Sequence, residues 1–182
     1  DFARHAMTWP NSLAISSNGN IYCSDEYENS IYVFKSDQIY TFPTAEPKKE
    51  VILKWGEKGN NRAQFDGPTG LTFNTEGDLY VVDSGNNRIQ IFSPQGNYIS
   101  SWGKEGTEKG TFYKPWGITI DNKGNIYVAD WGNNRVQKFD YNGQYISSIG
   151  TDGGPDQRLS HPAHVAVDKD GEIYISDWGN NR

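Results

Sequence analysis

The hydrophobic positions of the chain fall into short runs of four or five residues that are separated by turn-forming residues. The clearest example has four such runs, at 117–120, 125–129, 136–139 and 145–149. They are rich in Ile, Val and Tyr, and none has the 3.6-residue periodicity of a helix. Gly, Asn and Asp fill the gaps between the runs, which are long enough only for hairpins. The pattern predicts a meander of four antiparallel strands.

The meander recurs at a fixed period. A segment with the pattern Asp-x-Gly-Asn-Asn-Arg begins at Asp83, at Asp130 and at Asp177, so each step is 47 residues. A proline lies 15 residues before each of these aspartates, and Pro10 lies 15 residues before Asp25. Four-stranded units recurring every 40 to 50 residues are typical of β-propeller blades. The sequence therefore predicts an all-β chain that forms a β-propeller with an incomplete ring.

The predicted organisation is a single domain over 1–182, with repeats at about 7–56, 65–103, 112–150 and 159–182, the last of them truncated. The first repeat is eleven residues longer than the others, and the additional residues lie within about 35–50. We expect a lengthened loop there, or an extended hairpin through 39–42, because long loop insertions cost little free energy.

The third repeat reads FYKPWGI at 112–118, GNIYVAD at 124–130 and NRVQ at 134–137, and this pattern resembles an NHL repeat. The repeats at 65–103 and 159–182 match it as closely. The repeat at 7–56 is weaker, because Ser30 stands where the other three have arginine. NHL propellers typically have six blades, so the resemblance implies that further blades of a longer chain complete the ring and cover the terminal blades.

The recurring turn carries an acid, two amides and a base, but its threefold recurrence favours a structural role over a ligand site. An aspartate at a strand end can accept hydrogen bonds from turn N–H groups, and the arginine can pair with a carboxylate or with backbone carbonyls. We assign this structural role to nine residues: Asp83, Asn87, Arg88, Asp130, Asn134, Arg135, Asp177, Asn181 and Arg182.

Two groups of residues are candidates for ligand binding. The NHL resemblance places the residue after each proline at the start of the innermost strand, near the central channel. The channel-facing candidates are Asn11, Thr69, Trp116, Ala163 and the adjacent His164. The second group comprises rim aromatics in or near the recurring turn, which could contact a partner: Tyr27, Trp131 and Trp178.

A metal site is not expected. The peptidyl-hydroxyglycine amidating lyases have a similar six-bladed fold and hold zinc with histidines that follow this proline in several blades. None of the four equivalent residues here is histidine; His164 lies one residue further on, and His161 precedes the proline. A catalytic zinc needs about three protein ligands. We therefore predict no metal, no cofactor and no catalytic residue, and we expect Cys23 to be a buried residue of a second strand.

Composition restricts the function classes. The 182 residues are 35% hydrophobic and 14% aromatic, which argues against a disordered chain. No stretch approaches the roughly 20 apolar residues of a membrane helix, so no membrane span is expected. The net charge of −6 argues against a general polyanion binder. The single cysteine allows no intrachain disulfide, and the sequence indicates no compartment.

The favoured hypothesis is a non-enzymatic binding module that uses one propeller face to hold a protein or small ligand. The alternative is a metal-dependent propeller enzyme, similar to an amidating lyase or a gluconolactonase. RNA binding is the least favoured, although one local cluster is basic: Lys48, Lys49, Lys54, Lys58 and Arg62.

Overall fold

A computed structural model describes residues 7–35 and 51–182, which form fourteen β-strands in four sheets. Blade 1 contains β1 (Pro10–Ile15), β2 (Ile21–Asp25), β3 (Ser30–Phe34) and β4 (Val51–Trp55). Blade 2 contains β5 (Pro68–Phe73), β6 (Leu79–Asp83), β7 (Arg88–Phe92) and β8 (Tyr98–Trp102). Blade 3 contains β9 (Pro115–Ile120), β10 (Ile126–Asp130), β11 (Arg135–Phe139) and β12 (Tyr145–Ile149). Blade 4 contains β13 (Pro162–Val167) and β14 (Ile173–Asp177).

Consecutive strands pair antiparallel within each blade, so every blade is a meander. The register is the same in each second hairpin, where Asp83 pairs with Arg88 and Asp130 pairs with Arg135. The four strands predicted between 117 and 149 lie within two residues of β9–β12 at each end. The predicted all-β fold with four-stranded antiparallel blades is therefore confirmed. The extended hairpin predicted at 39–42 lies outside the described residues.

The innermost strands β1, β5, β9 and β13 lie side by side in chain order. Glycine permits this close approach: a Cβ on Gly117 would lie 2.6 Å from the carbonyl oxygen of Ala163, and a Cβ on Gly70 would lie 2.6 Å from that of Trp116. A side chain at either position would push neighbouring blades apart, so the packing of the blades depends on these two residues.

The hydrophobic core lies between blades rather than within one sheet. Tyr22, Ile31 and Val33 of blade 1 belong to one cluster with Leu79 and Phe92 of blade 2. A second cluster joins blades 2 and 3, and a third joins blades 3 and 4. Each sheet therefore gains its stability by covering the next one, as in other repeat architectures.

Among the described residues, no sheet covers the outer face of blade 1, and apolar side chains are exposed there. Leu13 is 62% exposed, whereas Leu71, at the same position of blade 2, is 5% exposed because blade 1 covers it. Ile15 is also exposed. Within the described residues, no helix is long and apolar enough to cross a membrane.

Candidate functional site

The aspartate at the end of each second strand organises the recurring turn. The Asp130 carboxylate accepts hydrogen bonds from the Tyr113 N–H at 2.8 Å, from Asn133 Nδ2 at 2.9 Å and from Gln137 Nε2 at 3.0 Å. It also forms an ion pair with Arg135 Nε at 2.8 Å. One buried carboxylate therefore joins the turn, the next strand and the loop that enters the blade.

Arg135 extends this network. Its guanidinium donates to the carbonyl oxygens of Glu108 and Thr111 at 2.8 and 3.0 Å, and its side chain is only 8% exposed. Arg88 and Arg182 pair with Asp83 and Asp177 at 2.8 and 2.9 Å. The structure thus places the arginine and the aspartate of all three motifs in contact.

The second asparagine of the motif connects neighbouring blades. Asn87 Oδ1 accepts the backbone N–H of Lys114 at 2.7 Å, and Asn134 Oδ1 accepts that of His161 at 2.8 Å. Asn134 has a left-handed backbone with φ of 54°, a conformation that asparagine tolerates better than most residues. These contacts cross from blade 2 to 3 and from blade 3 to 4, so the turn residues join blades to one another.

The environment of the three carboxylates differs with their depth. Burial raises the pKa of Asp83 and Asp130, and the hydrogen bonds and the arginines offset only part of that effect. Burial also acts to raise the pKa of Asp177, but hydrogen bonds from the Ser160 N–H, Asn180 and Arg182 outweigh it and lower the pKa. The last motif is the most solvated of the three.

Two buried glutamines belong to this network and were missed as site residues. Gln137 Nε2 donates to the carbonyl of Thr111 at 2.7 Å, and its Oε1 accepts the N–H of Gly110 at 3.0 Å. Gln90 makes the equivalent contacts in blade 2. A constant spacing in the sequence could have identified both glutamines, because each lies seven residues after the aspartate of the recurring turn.

Four aromatic side chains of blades 3 and 4 meet where the innermost strands begin. We call them the tryptophan cluster: Trp116, Trp131, His161 and Trp178. The Trp131 ring centroid lies 6.4 Å from that of Trp116, 6.5 Å from that of Trp178 and 4.3 Å from that of His161. Trp178 is 67% exposed, and the other three are half-buried. The structure thus brings together two predicted rim residues, Trp131 and Trp178, and one predicted channel residue, Trp116. His161, which was not among the predicted binding residues, contacts them as well.

Local backbone structure fixes the cluster. Trp131 and Trp178 each open a short 3-10 turn, Trp131–Asn133 and Trp178–Asn180. The next N–H in each turn donates to the loop that enters the blade, from Gly132 to the Tyr113 carbonyl at 2.8 Å and from Gly179 to that of Ser160 at 2.7 Å. These hydrogen bonds therefore fix the position of the two turns that carry the Trp131 and Trp178 rings.

Tyr27, the third predicted rim aromatic, lies apart from this cluster. It is an exposed residue in the turn between β2 and β3 of blade 1. Because Asp25 pairs with Ser30 as Asp130 pairs with Arg135, Tyr27 takes the position of Gly132 rather than that of Trp131. Among the described residues its ring makes no aromatic contact.

The predicted channel residues have different environments. Asn11 and His164 line a cavity of about 620 Å³ between blade 1 and the innermost strand of blade 4, together with apolar residues such as Leu13 and Phe34. The buried Thr69 hydroxyl donates to the Trp116 carbonyl at 2.9 Å, and Ala163 is half-buried.

Cys23 also lines the cavity and is only half-buried, so the expectation of a buried residue is wrong. The physical reason is that no sheet covers this face of blade 1 among the described residues. Burial still raises the pKa of the Cys23 thiol to about 11.

In the described part of the chain, the structure shows no group of metal-binding side chains, and the basic residues of the predicted cluster each have a partner. There, no group of three or more His, Cys, Asp or Glu side chains could hold a metal ion. Of the basic cluster, Lys54 pairs with Glu28 at 3.6 Å, Lys58 pairs with Asp66 at 3.8 Å, and Arg62 lies over the Tyr98 ring. Lys48 and Lys49 lie outside the described residues.

Four-stranded blades whose innermost strands lie side by side define this protein as a β-propeller. Within that class it carries NHL repeats: the NHL repeat pattern matches residues 65–92, 112–139 and 159–182. Each match begins in the loop before a blade and extends through the recurring turn, so the Asp–Arg network lies within the matched residues.

Known proteins match short segments of this chain. The B-box type zinc finger protein ncl-1 of Caenorhabditis elegans is 42% identical over 45 residues, which are 25% of this chain and 5% of that protein. Protein brain tumor of Drosophila melanogaster is 36% identical over 59 residues, 31% of this chain and 6% of that protein. The chain thus spans only a small part of these relatives.

A streptogramin B lyase structure superposes with a TM-score of 0.67 at 17% sequence identity. The superposition covers 98% of this chain and 51% of the lyase chain. At this level of identity, the similarity establishes the fold alone.

Proposed function

We propose that the protein is a non-enzymatic binding module that presents the tryptophan cluster to a protein or small ligand. The observation that carries this proposal is the contact of three indole rings and one imidazole on a single face, with Trp178 largely exposed. Large aromatic side chains dominate the energetics of binding surfaces, because a bound partner removes much of their apolar surface area from contact with water.

The position of the cluster supports the same proposal. Its members lie at the ends of strands and in the adjoining turns, where a rigid sheet supports surface loops, and such loops are the usual location of binding residues. The equivalent of Trp131 in blade 2 is Ser84, so the third blade departs from the second at this position. The relatives ncl-1 and brain tumor are much longer proteins, which favours a module within a larger chain.

Selection from a random-peptide phage library tests this function. We expect enriched peptides to bind the protein and to lose about tenfold in affinity on Trp178→Ala, the loss typical of an interface residue worth about 1.4 kcal/mol. Tyr141→Ala is the matched control, because Tyr141 is an equally exposed aromatic in the turn between β11 and β12, away from the cluster.

Two results would contradict the proposal. Either the library yields no peptide that binds, or the selected peptides bind Trp178→Ala and Trp131→Ala as tightly as the unaltered protein. A thermal melt of each variant shows whether the fold is retained.

A further inference from the structure

The imidazole of His161 lies against the indoles of the tryptophan cluster. Its centroid is 4.3 Å from that of Trp131 and 6.3 Å from that of Trp178, the latter in an edge-to-face arrangement. Trp131 is the middle indole, since its centroid lies 6.4 Å from that of Trp116 and 6.5 Å from that of Trp178. The imidazole therefore covers part of the ring at the centre of the proposed binding surface.

The backbone of His161 is fixed independently of its imidazole. Its φ is 52°, and the equivalent residues of blades 2 and 3, Gly67 and Lys114, have φ of 63° and 50°. An asparagine of the preceding blade accepts the N–H of each of these three residues at 2.7–2.8 Å. The left-handed conformation thus belongs to the repeat, and glycine and lysine adopt it as well. The fold does not require an imidazole at this position.

Histidine is the side chain that gains a charge between about pH 8 and about pH 5. His161 is only half-buried, so its ring exchanges protons with the solvent. A cation within about 6 Å of an indole centroid is attracted to the ring, whereas a neutral imidazole lacks this attraction. Because Trp131 lies within that distance, protonation of His161 strengthens the contact between the two rings.

The other groups around the imidazole leave the indoles as the main partner of its charge. The Ser160 hydroxyl oxygen lies 3.3 Å from His161 Nδ1. Among the described residues, no carboxylate forms an ion pair with His161. The titratable and charged groups on the surrounding turns and loops are either paired, as Asp130 with Arg135 and Asp177 with Arg182, or exposed, as Tyr113, Lys114 and Arg158.

We propose that His161 is a proton-sensitive cover of the tryptophan cluster: protonation holds its imidazole on Trp131 and weakens the binding of a partner to that ring. This inference rests on the proposed function, since it describes how the same face is regulated. The expected effect on affinity is about two- to fivefold, the size of a cation–π contact near the protein surface.

Acrylamide quenching of tryptophan fluorescence tests the cover without any partner. The contribution of Trp131 is the difference between the unaltered protein and Trp131→Phe, which removes one of six tryptophans. We expect Trp131 to be quenched less at about pH 5 than at about pH 8. His161→Asn should remove this difference, because asparagine tolerates the left-handed backbone and carries no titrating ring.

Two further variants complete the quenching experiment. His164→Gln is the matched control and should keep the pH dependence, because His164 lines the cavity beside blade 1 instead of the cluster. His161→Gly, which introduces the residue that blade 2 has at this position, serves as a second variant if a thermal melt shows that His161→Asn does not fold.

The affinity of a library-selected peptide tests the consequence for binding. The peptide is chosen without histidine, aspartate or glutamate, so that its own charge stays constant. We expect it to bind the protein about two- to fivefold more weakly at the acidic pH, and to bind His161→Asn equally at both.

Three results would overturn the inference. Trp131 is quenched equally at both pH values, the peptide binds equally at both, or the His161 variants keep either pH dependence. The proposed function fails separately. A peptide that requires Trp178 but binds independently of pH overturns the inference and leaves the binding function standing, whereas a library without binders refutes the binding function and leaves the quenching experiment to decide the cover.

Discussion

Replacing Arg135 with alanine tests whether the recurring turn holds the blades together. Arg135 is almost fully buried, and its guanidinium reaches the Asp130 carboxylate and the carbonyls of Glu108 and Thr111. Truncation to alanine removes these hydrogen bonds and leaves the buried carboxylate without its counter-charge. Breaking a buried ion pair in this way lowers the free energy of unfolding by about 3–5 kcal/mol.

Arg182→Ala is a control within the same motif. Arg182 pairs with Asp177 at 2.9 Å, almost the distance in the Arg135 pair, but its side chain is 42% exposed against 8% for Arg135. Water can replace the lost partner, so the expected cost is about 1 kcal/mol or less. The two variants remove the same chemical group and differ mainly in burial.

Urea unfolding followed by tryptophan fluorescence measures both effects. With a urea dependence of about 2 kcal/mol per molar, Arg135→Ala should lower the midpoint by about 1.5–2.5 M. Arg135→Lys should give an intermediate loss, because an ammonium keeps the charge but cannot reproduce the planar fork of donors. The reasoning is refuted if Arg135→Ala costs less than about 1 kcal/mol, or if Arg182→Ala costs as much as Arg135→Ala.

Two further substitutions test the packing between blades and the buried amides. Gly117→Ala would place a Cβ 2.6 Å from the carbonyl oxygen of Ala163 and should cost about 1–3 kcal/mol in a thermal melt. Gly154→Ala, with no atom within 4 Å of the added Cβ, should shift stability by less than about 0.5 kcal/mol, and equal effects would contradict this account. Gln137→Leu leaves the half-buried Gly110 N–H without its acceptor and should cost about 1–3 kcal/mol by urea unfolding, whereas a neutral result would show that the amide is dispensable.

The amino-acid sequence by itself determined the strands, their order within a blade and the repeat. This succeeded because hairpin meanders depend on local signals: short β-prone runs, turns of Gly, Asn and Asp, and a constant spacing between Asp83, Asp130 and Asp177. The threefold recurrence of the Asp–Arg turn likewise predicts a structural role for it.

The tertiary structure decided which residues meet across blades. Trp116, Trp131, His161 and Trp178 are up to 62 positions apart in the chain and come together only because β9 and β13 lie side by side. The inter-blade bond of Asn134 and the burial of Gln137 likewise depend on the neighbouring loop rather than on their own strands. The exposure of Leu13 depends on whether another blade covers it. Local sequence sets local hydrogen bonding, whereas contacts between repeats arise from how the blades pack, and one repeat read alone does not contain that information.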